Sequence, residues 1–141
     1  MPSSEQLAIV AEARGWVGTP LRAGPAVQGS AVDDWGLVRA VGEACGVLTI
    51  EAEAVPGARR ALAEAVLRPI EAGEAGDVAL VDGRLAILAE FNGRPTLIRV
   101  DGASGSRVYA SGAAYAKVVE HGFAGHWPGR VEAWFRFPGL A

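Results

Sequence analysis

The residues best placed to do chemistry stand side by side at Asp33 and Asp34, where a loop rich in glycine and proline runs into an apolar stretch. The segment reads Gly29-Ser30-Ala31-Val32-Asp33-Asp34-Trp35-Gly36-Leu37-Val38-Arg39. A helix starting here would turn its unpaired N–H groups and the positive end of its macrodipole toward the two carboxylates. The plain role is an N-cap followed by an acidic first turn. The sharper role is a site built at a helix N-terminus. Other candidates are few. His121 and His126 lie five apart near Glu120, in what reads as a loop. A metal site there would lack a helix to align its ligands and an evident third strong donor, so solvated or turn-stabilising imidazoles are preferred. Cys45 is the single cysteine, which excludes an internal disulfide and any multi-cysteine metal site. With no histidine near it in sequence, it reads as an inert thiol on the apolar side of a helix. There is no G-x-S-x-G elbow. Gly102-Ala103-Ser104-Gly105 lacks the lysine and helix that a phosphate-cradling loop needs.

The elements that must position these residues follow from spacing. Ser3 and Gln6 have capping-box spacing ahead of Leu7, Ile9, Val10 and Ala13, so a helix is expected over 4–16. Residues 18–30 carry three glycines and two prolines without periodicity and read as a long loop. A second helix is expected over 34–45, stopped by Gly46, and a third over 58–67, closed by Pro69. After Gly76 the pattern becomes that of strands. Runs over 77–81, 84–91 and 95–101 are separated by Asp82-Gly83 and Asn92-Gly93, the strongest two-residue hairpin signals. A turn over 102–106, a short strand over 107–110 and a closing strand over 131–137 complete an α+β domain, helices first and antiparallel sheet second.

Composition bounds the function. The 141 residues, half of them hydrophobic, suit one domain over 1–141 with a real core. A net charge of −3 and a single lysine, Lys117, argue against nucleic-acid binding and against a polybasic membrane patch. No apolar run reaches the ~18 residues of a membrane span, and the polar start carries no secretory signal. The expectation is a chain made in the cytoplasm without a signal peptide.

Taken in order, these segments resemble the NlpC-type papain-like cysteine peptidases that cut peptidoglycan stem peptides, in particular the branch carried by phage tails. Trp16-Val17-Gly18-Thr19-Pro20 is similar to the family's Trp-x-Gly-Thr-Pro, and Asp33-Asp34-Trp35-Gly36-Leu37-Val38-Arg39 to its Asp-Cys-x-Gly-Leu-Val-Arg. Gly76-Asp77-Val78 resembles the Gly-Asp-Val that opens the family's sheet. Arg84-Leu85-Ala86-Ile87-Leu88 stands where the family has His-x-Ala-Ile-Leu, and Phe135-Arg136-Phe137-Pro138 resembles the end of the phage branch. The resemblance covers nearly the whole chain.

The departures fall on the chemistry. The resemblance puts Asp34 at the nucleophilic cysteine and Arg84 at the general-base histidine. It puts Leu21 at a site-lining tyrosine and Arg99 at the third polar position. Amide attack needs a nucleophile activated by a neighbouring base. A carboxylate is a poor amide nucleophile, and arginine, with a pKa above about 12, is no base. The resemblance therefore implies a degenerate, pseudoenzyme site at Asp34, Arg84, Arg99 and Leu21, without cofactor or metal. One acid and two arginines could form a charge-assisted cluster, or Arg84 and Arg99 could merely point to solvent from hairpin strands. The expected role is a structural component of a phage tail tip, baseplate or phage-like particle, contacting other tail proteins or peptidoglycan. The alternative is an active peptidoglycan hydrolase delivered by such a tail. Docking features expected from sequence are open hairpin edges, the 18–30 loop and the aromatic segment 123–127. Trp127 and the 134–137 region are expected near a partner, with Trp134 itself tending to the core.

Overall fold

Local signals set the helix starts. In the computed structural model, which describes residues 2–22, 26–49, 58–101 and 116–140, helix α1 spans Ser4–Arg14 behind a complete capping box. The Ser3 hydroxyl accepts from the Gln6 N–H, and the Gln6 side chain accepts from the Ser3 N–H. Helix α2 spans Asp34–Ala44, with Asp33 as its N-cap accepting the Gly36 N–H at 2.6 Å. Helix α3 spans Arg59–Val66 and has no side-chain cap.

The strands are β1 (Arg68–Ile70), β2 (Val78–Val81), β3 (Arg84–Phe91), β4 (Arg94–Asp101), β5 (Lys117–Gly122) and β6 (Val131–Arg136), the last entered through a 3₁₀ turn at Pro128–Arg130. They form one six-stranded sheet in the order β1-β6-β2-β3-β4-β5, antiparallel throughout. The two tight hairpins turn where Asp-Gly and Asn-Gly stand. Asp82, Gly83, Asn92 and Gly93 all have positive φ, at 51°, 76°, 51° and 74°.

The sheet is covered on both faces. On the inner face, α1 and α2 pack against each other and on β3. Ile9, Val10, Trp35, Leu37, Val38 and Val41 meet Leu85, Ile87, Ile98 and Val118 there. Phe135 and Phe137 are fully buried in the same core. Gly42 is required at this contact: a Cβ would lie 2.7 Å from both the Leu48 Cβ and the Phe137 ring. On the outer face, Ala79, Val81, Ala86, Leu88 and Leu97 are covered by Phe123, Trp127, Val131 and Trp134.

Several expectations change. Pro69 does not merely end a helix; it sits inside β1, an edge strand, where a residue without an N–H donor is tolerated. Residues 117–122 form β5 rather than a loop. The segment leading to α2 folds back on the start of its free edge. Gly18 N–H donates to Val118 O (2.8 Å), Val118 N–H to Thr19 O (2.9 Å) and Leu21 N–H to Ala116 O (2.8 Å). The remaining edge, β1, is three residues long. Among the described residues, the pairing by the 18–21 backbone stops at Val118, so the far end of β5 and the short β1 are the edges of the sheet. The turn expected at 102–106 and the strand at 107–110 lie outside the described residues.

Candidate functional site: a buried aspartate at a helix start and an arginine-lined cleft behind it

Asp34 occupies the first turn of α2 and is only 3% exposed. The loop before it is anchored by Thr19, whose buried hydroxyl accepts the Gly29 N–H at 2.9 Å. Arg59 Nε donates to both Asp34 carboxylate oxygens, at 3.1 and 3.0 Å, and the Leu85 N–H donates to Oδ2 at 2.9 Å. Arg59 also approaches Asp33 at 3.8 Å. The carboxylate is thus held by a guanidinium from α3, by a β3 amide and by the positive end of α2. Asp33 fulfils the cap role read from sequence. Asp34 does something the sequence did not reveal, because its partner lies 25 residues away in α3.

The expected cluster of Asp34 with Arg84 and Arg99 is not formed, for a reason of register. Along β3, Leu85, Ile87 and Ala89 join the helix-facing core, while Ala86 and Leu88 join the outer one. Side chains alternate along a strand, so Arg84 belongs with Ala86 on the face away from α2. On β4, Ile98 and Val100 face inward and Leu97 outward, which puts Arg99 outward as well. The residue that β3 presents beside the start of α2 is Leu85, not Arg84. Leu21, expected to line the site, is half-buried and packs against the inner core.

Arg84 and Arg99 do meet, but behind the sheet. Both line an outer-face cleft of about 330 Å³ together with Trp127, Arg130, Asp82 and Asp101. The guanidinium carbons of Arg99 and Arg130 lie 4.5 and 4.2 Å from the Trp127 ring centroid. Arg99 Nε donates to His121 Nε2 at 2.8 Å, and its NH2 group to Asp101 at 3.1 Å. Arg130 pairs with Asp82. The expected His121–His126–Glu120 neighbourhood divides on β5. His121 stacks on Trp127 at 4.5 Å, as does His126 at 5.2 Å. Glu120 points the other way, accepting from Arg14 at 2.9 and 2.7 Å and from the Thr96 hydroxyl at 2.6 Å. Arg14, through its hydrogen bonds, holds the Glu120 carboxyl below its usual range against an opposing push from burial. Glu120 and His121 thus leave β5 on opposite faces. Among the described residues, no three of His, Cys, Asp and Glu gather as metal ligands.

One further polar site escaped the sequence reading. Asp77 is fully buried, yet Arg136 grips it with two hydrogen bonds of 2.8 and 2.7 Å, and it also accepts the Glu74 N–H. The alternating Phe135-Arg136-Phe137 was the available signal: with both phenylalanines inside, Arg136 had to face out of that core. Cys45 sits at the C-terminal end of α2, its thiol pushed up by burial and further by Glu12. Trp127 and Trp134 are half-buried on the outer face, whereas Phe135 and Phe137, expected near a partner, are core residues.

Helices laid on one face of an antiparallel six-stranded sheet, with the start of α2 directed at β3, give this chain an α+β fold that matches a solved structure of an NLP/P60-family protein. The same fold is found in a crystal structure from Staphylococcus aureus subsp. aureus Mu50, of a protein described as similar to lipoprotein, NLP/P60 family. The two match over 97% of this chain with a TM-score of 0.60 and 17% identity. This chain spans 42% of that protein. No protein-family model and no curated protein matches the sequence.

Proposed function

We propose that this chain is a non-catalytic NLP/P60-type module, retained as a structural and binding part of a larger assembly. The carrying observation is the state of Asp34. Its carboxylate sits where the resemblance implies a nucleophile, and it is closed off by Arg59 and the Leu85 N–H. A carboxylate neutralised this way has little tendency to attack an amide. The strand beside it offers Leu85 where a base would be needed, and both imidazoles lie by Trp127 on the outer face. Cys45 cannot replace the nucleophile, since the full length of α2, about 16 Å at 1.5 Å per residue, separates it from Asp34. The peptidase framework is therefore used here as a part. The phage-branch likeness of the motifs supports a tail tip, baseplate or related particle as the setting, with tail proteins or peptidoglycan as neighbours.

The deciding experiment incubates the purified chain with purified sacculi and measures released free amines beside an active NlpC-type peptidase. The expected result is no release above buffer. Release that disappears in Asp34→Ala or Cys45→Ala would overturn the reading and restore the hydrolase alternative.

A further inference from the structure

The outer-face cleft is built from charges that do not balance. Three guanidiniums, Arg84, Arg99 and Arg130, line it with two carboxylates, Asp82 and Asp101. Arg130 is paired with Asp82 and Arg99 with Asp101. Arg84 is half-buried and has no ion pair or side-chain hydrogen bond among the described residues. Among the described residues, the cleft thus carries a local excess of one positive charge in a chain of net charge −3. A half-buried guanidinium without a partner among the described residues keeps its donors free, and their fixed planar array matches an oxyanion.

The surroundings hold the other two arginines still. Trp127 lies against both guanidiniums, and His121 Nε2 fixes the Nε of Arg99. Since His121 Nε2 accepts from Arg99, its Nδ1 carries the proton and donates to the Gly122 carbonyl at 3.0 Å. A rigid aromatic floor with pre-aimed donors lowers the entropy lost on binding. The volume, about 330 Å³, is at the small end of ligand sites and suits a compact polar group.

We propose that this cleft binds an oxyanion, a carboxylate or phosphate group of a small molecule or chain end, with Arg84 as the principal contact and Arg99 and Arg130 beside it. The site lies behind the sheet, and its occupancy does not rest on whether the α2 start is catalytic. The test is an NMR titration of the ¹⁵N-labelled full chain with sodium phosphate and, separately, sodium acetate, at ionic strength held constant with sodium chloride. The readout is the Trp127 indole N–H, assigned with Trp127→Phe. Saturable, millimolar shifts are expected with at least one anion, weakened five-fold or more in Arg84→Gln and unchanged in Arg94→Gln on the exposed hairpin. Saturation by phosphate alone identifies a phosphate ligand, and by acetate alone a carboxylate; either supports the site. Arg130→Gln gives the same reading should Arg84→Gln fail to fold. No saturation with either anion, or undiminished affinity in a folded Arg84→Gln, overturns the proposal.

Discussion

Replacing Asp34 with alanine tests how the start of α2 is held. Two groups lose their partner at once. The Leu85 N–H, buried at the sheet, is left unsatisfied, at a cost of about 1–3 kcal/mol. Arg59 loses its carboxylate, and breaking a buried pair costs about 3–5 kcal/mol. Arg59 keeps 23% of its side chain in water and still has Asp33 within 3.8 Å, so its share falls well below that range. A total of about 3 kcal/mol follows, and at about 2–4 °C per kcal/mol this lowers Tm by roughly 10 °C. Asp33→Ala, which removes the cap and the longer 3.8 Å contact to Arg59, should cost about 1 kcal/mol. Thermal melts should be combined with two double-mutant cycles. Asp34→Ala and Arg59→Ala should be strongly non-additive, while Asp34→Ala and Arg84→Ala should add to within about 0.5 kcal/mol. Additivity with Arg59, or coupling to Arg84, would refute the assignment of partners.

Two further outcomes follow from the same geometry. Because Arg14 lowers the pKa of Glu120 in the folded state, ionised Glu120 adds stability above its unfolded value and loses it as pH falls through the lower folded value. Glu120→Gln should therefore cost about 1–2 kcal/mol near neutrality, and the deficit should vanish in urea melts taken well below pH 4.5, the ordinary value for the group; a deficit independent of pH would rule this out. In an Asp34→Cys/Cys45→Ser background, a histidine at 85 should speed iodoacetamide alkylation of the new thiol near neutral pH, and a histidine at 84 should not. The reverse order would show that Arg84, not Leu85, faces α2.

At the sheet edges, the 18–21 backbone pairs with the start of β5, and β1 is three residues long. Among the described residues, the outer face around Trp127 combines an aromatic residue with unspent charge.

Where a signal is local, the sequence by itself determined the outcome. Ser3 with Gln6, Asp33 at α2, and the Asp-Gly and Asn-Gly turns each depend on atoms within a few residues, so their meaning was legible before any packing was known. The apolar periodicity of 34–45 likewise gave α2 its buried side. Which face of the sheet a residue joins was a different matter. A strand that faces solvent on one side alternates polar and apolar residues, but β3 runs Leu85-Ala86-Ile87-Leu88-Ala89 with every position buried, since both faces are covered. Nothing in that run tells inside from outside, and an error of one residue moves a side chain to the opposite face. The resemblance put Arg84 at the site beside Asp34, and it lies behind the sheet instead. The pairings Asp34–Arg59, Asp77–Arg136 and Glu120–Arg14 join residues 25, 59 and 106 positions apart. Only the closing of the sheet and the docking of the helices brings such charges together, because no local spacing rule connects them.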